Sequence, residues 1–310
     1  MARVGDLLRK LGHFLLENDQ YALLYIAVLA LLPFATWLSV AVVVLVTLRK
    51  GWVDGFKGLL VGVTTLLVLS SLTMPLDTAI ITTLISFVPC YLTACVLHAT
   101  ANWRVAGGFI VLQALLGIVF IHWAVPEFIT AQYQYLHTML KMLAKENPDS
   151  SLTSLLDNQV ANQVVIANYL VGVQAVSVVL SAIASLLLAR SIQARLFYPG
   201  GFKQEMLAFR ASGFGVILLV IVAIGAYLHS PLAISCLPVL VAYYVFAGIS
   251  LIFNVLAKDK GVGSLVLLMI PLILLPFVML PVYVVFGALD SLFNFRLHLL
   301  SKADGKQNKG

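Results

Sequence analysis

The side chains able to do chemistry are few and sit mostly where apolar runs end. Gln113 and Gln174 are amides within apolar runs, His122 is an imidazole at the end of one, and Tyr133 and Tyr135 are phenols in the segment that follows it. They are the candidate lining of a small-solute pocket, which a compact cavity with converging polar groups would support. Gln113, Gln174 and Asn254 lie inside apolar runs, where uncharged polar side chains commonly bond between helices. Trp123, beside His122, suits an aromatic belt. A proton-driven carrier or ion pump usually places Asp, Glu or His at mid-depth of a span. None is found there, and Asp77 sits beside Pro75 in a short turn.

No catalytic residue is assigned. HExxH, GxSxG, paired aspartates within an apolar run and a Ser/His/Asp cluster at one depth are all missing, so a non-enzymatic chain is expected. Ser70, Ser71 and Ser181 read as helix-packing residues. Cys90, Cys95 and Cys236 lie in apolar runs, odd in number and without CxxC. They read as small buried hydrophobes, not as a disulfide framework or a metal site. No cofactor is implied.

A second group lies in the string from Ala189 to Arg210. Pro199-Gly200-Gly201 is a turn signal, because proline fixes φ and glycine permits positive φ. Phe202 can dip into an interface while Lys203, Glu205 and Arg210 stay wet. The turn is not a phosphate loop, for it lacks the strand before and the GK[ST] ending. It reads either as a connector or as a docking loop made of Pro199, Gly200, Gly201, Phe202, Glu205 and Arg210. Asp290 and Arg296 stand six apart, which is not a same-face spacing on one helix. Each is expected either to solvate a helix end or to meet another element such as this loop, and both join the docking set. Gly51/Gly55 and Gly58/Gly62 are GxxxG pairs, suited to close helix packing within the chain or between copies.

The elements that must hold these residues follow from composition. The chain has 310 residues, 61% hydrophobic and only 10% charged, with a net charge of +6. Soluble domains carry about 25% charged residues. An apolar exterior is correct only in lipid, so an all-α transmembrane bundle is expected. Candidate spans are about 21–48, 57–73, 75–97, 105–124, 163–189, 212–229, 231–256 and 262–288, roughly eight at about 20 apolar residues each. The first run is long and holds Pro33, so it is one tilted, kinked helix or two short helices turning back. Pro271, Pro276 and Pro281 predict a kink in the last.

The basic residues sit in alternate short loops: Arg49, Lys50 and Lys57, then Arg104, then Arg190, Arg195, Lys203 and Arg210, then Lys258 and Lys260. They orient the chain with that side toward the cytoplasm and explain the positive charge better than nucleic-acid binding does. Eight crossings would put both termini outside, against Lys302, Lys306 and Lys309 in the tail. Splitting the first run would bring the N-terminus inside. Residues 1–20 read as an interfacial amphipathic helix, or as a first helix packed on the bundle. They are followed by four spans over 21–124 and an outer helical hairpin over 125–162. Residues 163–296 hold the last four spans, with the loop at 190–211, and 297–310 form a polar tail. In the hairpin, Ile129, Tyr133, Leu136, Leu140 and Leu143 repeat at helical spacing and Pro148 ends the first arm. It reads as packing, or as a lid or docking surface.

The core string Tyr198-Pro199-Gly200-Gly201-Phe202-Lys203-Gln204-Glu205 resembles the loop of proteobacterial members of the YybS-like family, which are integral-membrane proteins of unknown function. Leu48-Arg49-Lys50-Gly51 and the stretch Leu289 to Arg296 fit as well, and the apolar runs are similarly spaced over almost the whole chain. That family is distantly similar to the substrate-binding S-components of energy-coupling-factor transporters. The resemblance implies a solute pocket opening outward and a cytoplasmic ATPase partner, with no motor in this chain. S-components usually dock through Ala-xxx-Ala in the first helix, and Ala22, Ala27, Ala30 and Ala35 lack that spacing. The expected protein is a multi-pass subunit of the bacterial inner membrane that binds or transports a small solute. The alternative is a membrane scaffold that recruits a membrane or cytoplasmic protein.

Overall fold

The computed structural model describes residues 10, 12–32, 34–146, 163–257 and 270–296, and every regular element among them is helical. In chain order these are α1 (Asp19–Leu31), α2 (Thr36–Lys50), α3 (Trp52–Ser71), α4 (Leu76–Thr100), α5 (Trp103–Ala124) and α6 (Pro126–Glu146). They continue as α7 (Gln163–Phe197), α8 (Gly201–Ala208), α9 (Gly213–Tyr227), α10 (Pro231–Ala257) and α11 (Pro276–Phe293).

Among the described residues, six helices are long and apolar enough to cross a membrane, against the roughly eight spans expected: α3, α4, α5, α7, α10 and α11. The pair α8 and α9, bent by 49° at its break, makes a seventh if taken as one span. The clearest loss is the first run. α1 has 13 residues and α2 has 15. At 1.5 Å per residue each is about 20 Å long, short of the ~30 Å hydrocarbon core. They form a hairpin: Asp19 at the start of α1 pairs with Lys50 at the end of α2, and Ser39 Oγ donates to the Ile26 carbonyl at 2.8 Å. The turn holds Phe34 at φ +63°; Pro33 itself lies outside the described residues. Of the two readings of this run, the structure has the pair of short helices. Hydropathy missed this because it counts apolar length and does not register a chain that turns back.

Other expectations stand closer. In the amphipathic first segment, residues 12–17 are helical, Leu15 is buried, and Gly12 packs against Ile192 and Leu196 of α7. The segment expected as the first arm of an outer hairpin is helical in α6, with Ile129 and Tyr133 buried as its pattern required. Its second arm, with Pro148, lies outside the described residues, as do Lys258, Lys260 and the polar tail. The last run breaks at Leu275, and Pro276 opens α11, where a missing N–H costs nothing.

Two compact units divide the chain. Unit 1 comprises Met1–Ile110, Val178–Arg210 and Ser250–Met269; unit 2 comprises Val111–Ser177, Ala211–Ile249 and Ile270–Gly310. In unit 1, α2 is the centre. Its residues from Ser39 to Leu48 are all buried, and α1, α3 and α4 pack around it. A sequence as uniformly apolar as VAVVVLVTL has no polar face to show, so enclosure on all sides suits it. Gly55, Gly58 and Gly62 of α3 serve this packing, whereas Gly51 precedes the helix and has open space beside it. A Cβ on Gly55 would stand 2.0 Å from Thr47 Oγ1, and one on Gly62 would stand 2.4 Å from Phe87. In unit 2, α10 and α11 touch backbone to backbone, since a Cβ on Gly248 would stand 2.1 Å from the Tyr283 oxygen and one on Gly287 2.1 Å from the Tyr244 oxygen.

The outer faces invert those of a soluble protein. α9 exposes Phe214, Ile217, Ile221 and Ile224 at helical spacing, and α11 exposes Phe277, Val278, Val285 and Phe286. Helices this apolar, with their bulkiest residues outward, have lipid as their solvent. The chain is a multi-pass membrane protein of helical-bundle class.

Candidate functional site

In unit 1 the polar groups gather at one end, where the basic loops lie. Glu205 of α8 accepts from Trp103 Nε1 at 2.8 Å and from Arg190 Nε at 2.9 Å, and Arg190 Nη2 closes a second bond to its other oxygen. This fork-to-fork geometry is the strong form of the ion pair. Arg190 Nη1 also donates to Gln193 Oε1, and Gln193 Nε2 reaches the Leu48 carbonyl at the end of α2. The guanidinium of Arg49 lies 3.9 Å over the Phe197 ring. Ser250 Oγ donates to the Met206 and Phe209 carbonyls and Asn254 Nδ2 to the Leu207 carbonyl, so the last carbonyls of α8 are satisfied by α10. Asn254 thus bonds between helices as its position implied.

The turn is held out by this framework. Gly200 takes φ +87°, the left-handed conformation that glycine adopts freely, and α8 starts at Gly201. Tyr198, Pro199 and Gly200 are exposed, while Gly201 and Phe202 are half-buried. Glu205, counted in the docking set, is spent on the internal latch. Arg210 is half-buried.

In unit 2 the polar groups lie inside. His122, in the last turn of α5, turns Nδ1 to the Ile118 carbonyl and Nε2 to Asn168 Oδ1, each at 2.9 Å. Asn168 Nδ2 donates to the Val164 carbonyl at 2.7 Å, which fixes the amide so that its oxygen faces the imidazole. Ser235 Oγ donates to the Asn168 carbonyl at 2.9 Å and lies 3.4 Å from His122 Nε2. Three helices, α5, α7 and α10, therefore meet at one polar point. No family model, no curated protein and no solved structure matches this chain.

All five expected ligand residues fall in unit 2. Gln174 donates to Gln132 at 2.7 Å, which ties α7 to α6. Tyr133 is buried and stacks on His137 at 5.7 Å, whereas Tyr135 is 65% exposed. Gln113 is half-buried.

Asp290 and Arg296 differ most from expectation. They meet each other: Arg296 Nε donates to Asp290 Oδ2 at 3.1 Å. Asn294 makes this possible. It ends α11 in the left-handed conformation, φ 51° and ψ 57°, and its N–H bonds the Asp290 carbonyl. The chain turns back there, so a six-residue spacing closes where a continuous helix would not allow it. Both residues are buried, Asp290 completely, and its Oδ1 has no hydrogen-bond partner among the described residues. They are the buried charged residues of the described chain. Being interior, they offer no surface to a docking protein.

Asn168, Ser235, Trp103, Arg190 and Gln193 were not singled out from sequence. Asn168 had the same signal as Gln174, an amide in an apolar run. Arg190 and Gln193 had only their place at a basic helix end, and nothing in the spacing tied Trp103 to Glu205 more than a hundred residues away.

Proposed function

We propose that the chain is a membrane-embedded subunit that binds a small polar solute in unit 2. We further propose that it engages a separate protein through the turn at Tyr198–Phe202 in unit 1, without a motor of its own. The supporting observation is where the polar groups lie. Unit 2 buries an ion pair and a His–Asn–Ser cluster inside a lipid-facing body, and such groups are expensive there unless they serve a function. The resemblance of the turn and of the Leu289–Arg296 stretch to the YybS-like family agrees, and with it the likeness to S-components. On this reading the basic end faces the cytoplasm of a bacterium and meets an ATPase module.

Native mass spectrometry of the protein gently extracted from its own membrane tests this. The expected result is a small molecule retained at one-to-one stoichiometry and lost in His122→Ala or Asn168→Ala. A chain that carries no small molecule but holds a protein partner, released by changes at Gly200 and Gly201, overturns it in favour of a scaffold. The scaffold reading has its own support in the latch, which holds the turn out as a fixed feature.

A further inference from the structure

Among the described residues, the basic end of unit 1 carries more cations than its acids pair. Asp19 pairs with Lys50, Asp54 with Lys57 and Glu205 with Arg190, while Glu17 meets His13. Arg49, Arg104, Arg195 and Lys203 remain exposed and make no ion pair among the described residues.

These four come from separate elements: α2, α5, α7 and α8. The packing nonetheless brings those elements together, since Arg49 lies against Phe197 and Trp103 bonds Glu205. Each sits at a helix end or on the short α8, at the border between apolar helix and water, where lipid phosphates lie. Trp52 and Tyr198 project beside them, 66% and 64% exposed. Exposed aromatic rings with a polar edge favour the headgroup layer. A soluble acidic partner would match the charge but would leave these rings unexplained.

We propose that this girdle binds the headgroups of anionic phospholipids and that their phosphodiesters are its counter-ions. It goes beyond the solute-binding reading and does not depend on it. Each guanidinium offers a planar fork to two phosphate oxygens, while Lys203 adds a point charge on α8.

The test uses the full chain in nanodiscs of phosphatidylcholine with a graded fraction of phosphatidylglycerol. Lipids retained after release are counted by native mass spectrometry. Phosphatidylglycerol should be retained preferentially, and half-molar salt should reduce that preference. The pair R104Q/R195Q should weaken it ~30-fold, at about fivefold per cation, while R104K/R195K keeps most of it. Melting in pure phosphatidylcholine should not change in R104Q/R195Q, because neither side chain is bonded to another described residue. Equal retention of the two lipids overturns the proposal, as does an unchanged preference in R104Q/R195Q. So does a lower melting point of that variant in phosphatidylcholine, or an acidic protein held by the extracted chain and released by the same changes.

Discussion

Asp290 shows how much one residue can weigh in an apolar unit. Its carboxylate is wholly buried, takes a bond from Arg296, and leaves Oδ1 without a partner among the described residues. Removing one member of a buried pair strands the other charge, at about 3–5 kcal/mol. Arg296→Met is therefore expected to lower the detergent unfolding free energy by about that much. Asp290→Leu combined with Arg296→Met should recover most of the loss, measured by denaturant unfolding. Glu205 is expected to be milder. Its network is partly exposed, so Glu205→Gln should cost about 1.5–3 kcal/mol, and a double-mutant cycle with Trp103→Phe should show coupling of about 1 kcal/mol. The sequence displayed Asp290, Arg296, Glu205 and His122 as notable residues. Their partners were hidden, because Asn294 reverses the chain at a point no periodicity marks and Trp103–Glu205 is a long-range contact.

Among the elements, the glycines separate packing from permissiveness. Gly55 has no room for a Cβ beside Thr47, whereas nothing lies within 4 Å of a Cβ on Gly117 in α5. Gly55→Leu should cost about 3 kcal/mol through overpacking. Gly117→Ala should be neutral or add about 0.5–1 kcal/mol through helix propensity. The GxxxG spacing announced close packing of α3 correctly; that its partners are α1, α2 and α4 followed only from the fold. The hairpin α1–α2 makes a pH prediction. Lys50 beside Asp19, through its hydrogen bond first and its charge second, holds that carboxyl below the usual range. A carboxyl lowered in the folded state stabilises fully above its unfolded pKa, about 3.9. That contribution is lost as pH falls through the lower folded value. The melting difference between the protein and Asp19→Asn should therefore be constant from pH 7 to 5 and shrink as pH falls from about 3.9 through the lower folded value. It should also be small, since the Asp19 side chain is 67% exposed.

At the scale of the whole molecule, composition alone required lipid, and the apolar outer faces of α9 and α11 agree. Alternation of basic loops gave an orientation that the termini contradicted. The hairpin removes the contradiction at the N-terminus: a run that turns back leaves both its ends on one side, with Asp19 against Lys50. Assigning one end to docking and the interior of unit 2 to binding rests on this orientation. The most direct measurement is substituted-cysteine labelling in sealed vesicles, with Cys90, Cys95 and Cys236 replaced and single cysteines placed at Asn18, Gly51, Ala101 and Thr73. Asn18, Gly51 and Ala101 should all react from one side and Thr73 from the other. Reaction of Asn18 and Gly51 from opposite sides would make the first run a crossing helix and contradict the account.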